Sequence, residues 1–237
     1  MLLFNKYWCK RSFHTRIEYI FSQFFNASKH DNIEYICAVI TIEYFLKFLG
    51  GVAGIACLVF AIYQILRAQE RPSGLETGSS KIILRTSYLA VASLFFIALA
   101  VVIWKPLPVH LSSIAEFIIL LLGAVLYFPS LLLYLWGMHT LGSNFNASSG
   151  FGVRLQQDHK LVTSGPFAYI RHPMYLGVIL ACWGGLLMYL TWTMLVYAIM
   201  MFGLIYRAHK EEAALFIEFG DTWEAYRQRV PGWVPRI

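Results

Sequence analysis

The apolar positions of this chain are gathered in long blocks, separated by polar segments that contain most of the charges. Five blocks consist almost entirely of apolar residues, at 48–66, 86–104, 117–136, 174–190 and 192–206. A helix needs roughly 20 apolar residues to cross the hydrocarbon of a bilayer, and most of these blocks approach that length. The pattern therefore predicts an all-α, polytopic membrane protein with about five transmembrane helices.

The order of the blocks adds detail to this prediction. Only Thr191 separates the last two blocks, which predicts an antiparallel helical hairpin with a very short turn. Pro129 lies inside the third block and predicts a kink there. Residues 33–46 are also rather apolar, but Glu43 and Lys47 make them a poor span. An interfacial or packed helix is therefore favoured for that segment.

The composition of the 237 residues agrees with a membrane protein. Apolar residues make up 58% and charged residues 14%, where a soluble domain has roughly 25% charged residues. The mean hydropathy is +0.59. These values exclude a disordered chain, a coiled coil and an ordinary cytosolic enzyme. The net charge of +6 comes mostly from residues between the apolar blocks, so it indicates contact with the lipid bilayer and not with nucleic acid.

The distribution of Lys and Arg predicts the orientation in the membrane. Four lie in 67–85, three in 137–172 and five from Arg207 onward, while the other turns carry one and none. The positive-inside rule places these three segments in the cytoplasm. The amino terminus would then lie outside, although residues 1–32 are themselves basic. A multi-pass integral membrane protein with its active site on the cytoplasmic side is expected. Its membrane would be the endoplasmic reticulum if the protein is eukaryotic and the cell inner membrane if it is prokaryotic.

These features divide the chain into three parts. Residues 1–47 are an amino-terminal extension, partly interfacial or disordered. Residues 48–136 are a three-span membrane region. Residues 137–237 combine the longest polar segment with the helical hairpin and a polar tail, and they contain the candidate chemistry.

The first candidate site lies directly before the fourth apolar block. Residues 161–177 read LVTSGPFAYIRHPMYLG, a dense mixture of Gly, Pro, Arg, His and Tyr. Pro173 suits the first turn of a helix, whose free N–H groups and positive dipole favour a carboxylate or phosphate. Arg171 adds a positive charge beside that end. Gly165 and Gly177 would permit a ligand to approach the backbone closely.

The second candidate site lies in the tail. Glu212 shares a helical face with apolar residues at three- and four-residue spacing, so this carboxylate needs a partner so close to a membrane. Gly220 predicts the end of that helix, and Asp221 with Glu224 predicts a capping box at the start of a second short helix. Glu211 and Glu212 are therefore the functional candidates of this segment.

The run 161–177, the helical hairpin and the run EEAALFIEFGDTWEAYRQRVPGWVP at 211–235 together resemble the isoprenylcysteine carboxyl methyltransferase family. They are similar also to the wider group of integral-membrane methyltransferases that includes phospholipid N-methyltransferases. The resemblance covers about 141–235, and Phe167 and Trp223 depart from it as aromatic rings without a hydroxyl. It implies that S-adenosylmethionine binds between a cytoplasmic loop and a carboxyl-terminal helix. The implied cofactor-binding residues are His159, Leu161, Gly165, Pro166, Tyr169, Arg171, His172, Pro173, Tyr175, Gly177, Glu211 and Glu212.

The chemistry of methyl transfer leaves the acceptor open. A carboxylate is already ionised at neutral pH and needs only a cation to hold it, such as Arg171 or Arg207. An amine must first lose a proton, and would need a base such as His or Glu. Arg171, Arg207 and Glu212 are the expected catalytic residues.

The leading hypothesis is methyl transfer from S-adenosylmethionine to a lipophilic acceptor, such as the carboxyl-terminal carboxylate of an isoprenylcysteine, in a small molecule or a prenylated peptide. A phospholipid or other lipophilic-amine N-methyltransferase is the nearest alternative. More distant alternatives are a sterol-reductase-like NADPH enzyme and a structural membrane protein with a decayed site. The spacing of the histidines fits no standard metal site, so no metal is predicted. The oligomeric state is left open.

Overall fold

The computed structural model describes residues 31–69, 73–76, 86–145, 148–149, 152–156 and 160–235. The described helices are α1 (Asp31–Gln69), α2 (Thr86–Val102), α3 (Ser113–Leu141), α4 (Pro173–Tyr189), α5 (Trp192–Met200), α6 (Gly203–Phe219) and α7 (Asp221–Arg229). Short turns of 3-10 helix cover Gly142–Asn144 and Gly165–Ala168. The predicted cofactor residue His159 and residues 1–30 lie outside the described residues.

A small sheet accompanies the helices. Its strands are β1 (Ser73–Glu76), β2 (Ser148–Ser149) and β3 (Gly152–Gln156), in the order β1-β3-β2 and all antiparallel. The helical class is confirmed for most of the described chain, whereas the sequence pattern did not predict this sheet. The strands are two to five residues long, and β1 is far from its partner in sequence. Such short pairings carry no apolar alternation from which a strand could be predicted.

Two described helices are long and apolar enough to cross a bilayer, α1 over Ala38–Ala68 and α3 over Ser113–Leu141. Their outward faces are covered with large apolar side chains, such as Phe48 and Val125, each 72% exposed. Contiguous apolar surface of this size is costly in water, so these faces indicate contact with lipid. α4 is apolar but shorter. The count of about five spans stays a prediction.

α1 is longer than expected. Residues 33–46, for which an interfacial or packed helix was favoured, are helical and form part of α1. The polar side chains at 43 and 47 do not interrupt this helix, because the segment contains no proline and no capping motif there. An interfacial or packed position for this segment stays a prediction. Contacts between residues divide the chain into two units after Phe45, and the second unit contains the sheet and helices α2 to α7. The predicted three-part division stays a prediction.

Helices α3 and α4 pack closely at glycine residues. A Cβ atom on Gly177 would lie 2.8 Å from the carbonyl oxygen of Ser130, and one on Gly184 would lie 2.7 Å from the backbone nitrogen of Tyr127. Both distances are shorter than real Cβ contacts, so any larger residue would force the helices apart. This contact holds the first turn of α4, and the Arg-His-Pro segment before it, in a fixed position against α3.

The predicted hairpin forms, but its second arm is not one helix. α4 ends with Leu190 in the left-handed region at φ 47°, and Thr191 accepts a hydrogen bond from the Met194 N–H to cap α5. The expected helix over 192–206 is instead α5, a turn, and the first residues of α6. α5 is therefore only nine residues long. Gly203, the first residue of α6, comes directly after this turn.

The tail follows the prediction closely. α6 ends at Phe219, Gly220 has φ 48°, and α7 begins at Asp221. The predicted capping box does not form, because no side chain caps α7. The Glu224 carboxylate instead accepts hydrogen bonds from the side chains of Arg227 and Gln228, one turn further along the helix.

Candidate active site

An open cleft lies where the start of α4 meets α6 and α7. Its empty volume is about 800 Å³, including space open to solvent. Three cations, Lys160, Arg171 and Arg207, and the carboxylate of Glu211 line it. The rest of the lining is largely apolar or aromatic, with His172 and Asn144 as further polar members. The cleft therefore combines charged groups with apolar and aromatic surface.

The first polar cluster joins the Arg-His-Pro segment to α6. Oε1 of Glu212 lies 2.7 Å from Nε2 of His172 and 3.2 Å from Nη1 of Arg171. The His172 side chain is only 6% exposed and that of Glu212 18%. The requirement for a partner, which the sequence predicted for Glu212, is therefore met by two residues at the start of α4.

The second polar cluster joins α4 to α6 through Glu211, the residue directly before Glu212. The Tyr175 hydroxyl donates a hydrogen bond to the Glu211 carboxylate, and Nε of Arg207 lies 3.6 Å from the same carboxylate. The guanidinium of Arg207 lies over the Tyr175 ring, 5.1 Å from its centroid. Burial lowers the pKa of Arg207, but Tyr175 and Glu211 outweigh burial, so the net pKa lies above its ordinary value. Arg207 is thus a permanent positive charge at the cleft.

Electrostatics keep Glu212 ionised. Burial alone would raise the pKa of its carboxyl. The hydrogen bond from His172 and the charges of His172, Arg171 and His209 outweigh burial and lower the pKa below its ordinary value. Glu212 is therefore an anion at neutral pH and a poor acceptor of protons.

Arg171 has unused hydrogen-bonding capacity. Its Nε and Nη1 atoms are buried and form no hydrogen bond to any described residue. The short distance from Nη1 to Glu212 is an attraction between charges without hydrogen-bond geometry. A buried donor without an acceptor is costly, so this guanidinium is suited to an anionic ligand group such as a carboxylate.

Aromatic side chains form the flat part of the wall. Trp223 and Tyr226 are each 3% exposed and line the cleft from α7. The Tyr226 hydroxyl donates to the carbonyl oxygen of Phe167 at 2.7 Å, which fixes α7 against the segment before α4. Arg171 lies over the Trp223 ring at 5.8 Å. Trp223 and Tyr226 thus give the cleft a largely apolar wall on the side of α7.

The structure brings many of the predicted site residues together. Those that line the cleft are Leu161, Arg171, His172, Pro173, Tyr175, Arg207 and Glu211. Glu212 contacts Arg171 and His172 but does not itself line the cleft. Pro166 is buried and Tyr169 is 63% exposed, and neither lines the cleft.

The two predicted glycines do not line the cleft either. A Cβ atom on Gly165, which has φ 58°, would lie 2.7 Å from the Thr140 hydroxyl, and Gly177 lies against α3 as described above. In both cases the close approach that glycine permits is made by the protein itself, whereas a ligand was expected. Their roles in cofactor binding stay predictions.

Sequence reasoning missed several lining residues. Asn144 accepts a hydrogen bond from the Lys160 N–H at 3.0 Å, which holds Lys160 at the cleft. Phe145, Met174 and Tyr226 also line it. Asn144 and Phe145 lie three and four residues after the end of α3, in a stretch with polar and aromatic residues. That composition was the only feature of the sequence that could have indicated a place in the site. Among the described residues, no group of three or more His, Cys, Asp or Glu could hold a metal ion.

Residues 117–217 match the model of the isoprenylcysteine carboxyl methyltransferase family. A protein-S-isoprenylcysteine O-methyltransferase of Schizosaccharomyces pombe is 40% identical over 83 residues, 34% of this chain and 35% of that protein. Its Mus musculus counterpart is 35% identical over 102 residues, 42% of this chain and 35% of that protein. The resemblance to this family is thereby confirmed. The matched parts span about a third of both relatives.

Other similar proteins cover more of the chain. Methanethiol S-methyltransferase 2 of Bradyrhizobium diazoefficiens is 30% identical over 172 residues, 65% of this chain and 60% of that protein. A solved structure of a eukaryotic intramembrane Ras methyltransferase is 21% identical and covers 95% of this chain and 93% of its own. The TM-score of this match is 0.44.

Proposed function

We propose that this chain, whose residues 117–217 match the isoprenylcysteine carboxyl methyltransferase family, is an integral-membrane methyltransferase that uses S-adenosylmethionine. The observation that supports it best is the pair of ionic clusters at the cleft, in which the start of α4 meets the paired glutamates of α6. The polar cofactor enters from the cytoplasmic side, while the acceptor enters from the bilayer. This division explains why membrane helices build the site.

The lining residues suit the chemical groups of S-adenosylmethionine. The buried Nε and Nη1 atoms of Arg171 are suited to its carboxylate. The Glu211 carboxylate is suited to its cationic amino group or ribose hydroxyls, and the apolar wall that includes Trp223 and Tyr226 to its adenine ring. Bound there, the cofactor supplies an electrophilic methyl group on a positively charged sulfur. The protein's own contribution is to align the acceptor with that methyl group and to exclude water.

The electrostatics favour an acceptor that needs no base. Glu212 has a lowered pKa and is held by His172 and Arg171, so it is badly suited to removing a proton from an ammonium group. A carboxylate is ionised already, and the cations Lys160 and Arg207, which are not assigned to the cofactor's carboxylate, can hold it at the cleft. We therefore propose the carboxyl terminus of an isoprenylcysteine, or a similar lipophilic carboxylate, as the acceptor, and rank a lipophilic amine below it.

A thiol is the second candidate acceptor. It is favoured by the alignment with methanethiol S-methyltransferase 2 over 65% of this chain. The same cations would favour a thiolate over a thiol, because a nearby positive charge lowers a thiol's pKa. This acceptor too would need no protein carboxylate as a base.

Methyl transfer to parallel acceptors tests these proposals. The purified protein is given S-adenosylmethionine with a radiolabelled methyl group, and a farnesylcysteine analogue, methanethiol or phosphatidylethanolamine in detergent. We expect label in the farnesylcysteine carboxyl ester, which alkali releases as methanol. If the label appears instead in the thioether formed from methanethiol, a thiol is the favoured acceptor. Calorimetry that detects no binding of S-adenosylmethionine or its demethylated product, but binding of NADPH, would overturn the methyltransferase.

A further inference from the structure

The last described residues of the chain lie against the Arg171–His172 pair. The Arg171 N–H donates to the carbonyl oxygen of Pro231 at 2.9 Å, and the His172 N–H donates to that of Gly232 at 3.1 Å. Two consecutive backbone groups before α4 are thus satisfied by two consecutive carbonyls of the tail. This pairing fixes both the position and the register of the segment that precedes α4.

Side chains reinforce these backbone bonds. The Trp233 ring lies 5.2 Å from the His172 ring at an interplanar angle of 34°. The Tyr175 ring stacks on His172 at 5.8 Å and 10°. A Cβ atom on Gly232 would lie 3.4 Å from Nη2 of Arg171, so the tail backbone also limits where that guanidinium can go. His172 is therefore confined by two aromatic rings while its Nε2 faces Glu212.

We infer that residues 231–233 form a strap that positions the Arg171–His172 pair for binding the cofactor, with Trp233 as the positioning residue. This inference rests on the proposed function. Trp233 does not line the cleft, so it acts through His172, whose bond to Glu212 holds α6 and the start of α4 together. The exposed neighbour Val234 extends away from this contact and serves as a matched control.

The first experiment measures the position of His172 without relying on any activity. The full chain in detergent is treated with diethylpyrocarbonate, and the rate of modification of each histidine is measured by mass spectrometry. We expect Trp233→Ala to raise the rate at His172 several-fold. Trp233→Phe should show a modification rate at His172 close to that of the wild type, and Val234→Ala should leave the rate unchanged. The exposed His209 is the internal reference. An unchanged rate at His172 in the Trp233→Ala variant would overturn the strap.

The second experiment measures the consequence for the cofactor. An aromatic contact of this kind corresponds to about 2- to 10-fold in a binding constant. We expect Trp233→Ala to raise the KM and Kd for S-adenosylmethionine by that factor with little change in kcat, and Trp233→Phe to recover most of it. Equal cofactor affinity in wild type and Trp233→Ala would overturn the positioning role. The wild type could bind no S-adenosylmethionine while the modification rate of His172 still rises in Trp233→Ala. That result would contradict the proposed function but would still support the strap as the structure that positions His172.

Discussion

Nε2 of His172 lies 2.7 Å from Oε1 of Glu212, a residue 40 positions further along the chain. The bond joins the segment before α4 to the middle of α6, with α4 and α5 between them in sequence. Arg171 contacts the same carboxylate oxygen. One carboxylate thus holds two neighbouring residues of the Arg-His-Pro segment at the cleft.

The charge of Glu212 should matter far more than that of Glu224. Glu212→Gln removes the negative charge that faces Arg171 and His172, and a hydrogen bond to a charged group contributes about 1.5–3 kcal/mol. We expect a loss of roughly 10- to 100-fold in kcat/KM for the cofactor. Methyl transfer at saturating acceptor and varied cofactor measures it. Glu224→Gln is the control, because its exposed partners lie on its own helix. Equal losses in both variants would contradict the assignment of Glu212 to the site.

The hydroxyl and the ring of Tyr175 should be separable. Tyr175→Phe removes the hydrogen bond to Glu211 but keeps the ring on which Arg207 and His172 lie. The Tyr175 side chain also interacts with Arg207, so we expect a cost of at least about 1 kcal/mol in cofactor binding, the typical contribution of a single hydrogen bond. Tyr175→Ala should cost clearly more, since it also removes both ring contacts. Calorimetric titration of both variants checks the order, and an equal cost would mean that the ring contributes nothing.

Gly177 should prove to be a packing residue. Gly177→Ala puts a methyl group 2.8 Å from the Ser130 carbonyl, where only backbone movement could relieve the clash. Overpacking of this kind costs about 1–3 kcal/mol, so we expect a lower unfolding midpoint in detergent. Gly203→Ala is the control, because its Cβ atom would meet nothing within 4 Å, and it should be neutral or slightly stabilising. A folded Gly177→Ala protein with a normal midpoint but no cofactor affinity would favour the predicted ligand contact instead.

The contacts of Glu212 should make stability depend on pH on the acid side. Its pKa is lower in the folded protein than its ordinary value of 4.5. The stabilisation is therefore fully present above that ordinary value and is lost as pH falls through the folded-state pKa. We expect the unfolding midpoints of wild type and Glu212→Gln to differ most near neutral pH and to converge in acid. A difference that stays constant with pH would contradict this.

Several features followed from local sequence alone. Pro173 at the first turn of α4, the helix end at Gly220 and the start of α7 at Asp221 were predicted, because proline, glycine and the residues around them act through their own backbone preferences. The long apolar helices followed from block length. The paired glutamates were singled out because a carboxylate on an apolar face needs a partner.

The tertiary structure decided which partners these residues meet. Glycine at 177 is equally compatible with a ligand or a helix at close range, and only the position of α3 distinguishes them. The contact of Trp233 with His172 joins residues about 60 positions apart, and no periodicity along the chain can indicate it. The sequence by itself thus determined the long apolar helices, the ends of helices at Pro173 and Gly220, and the residue types of the site. Which carboxylate meets which cation, and which rings cover His172, depended on long-range packing that local preferences do not specify.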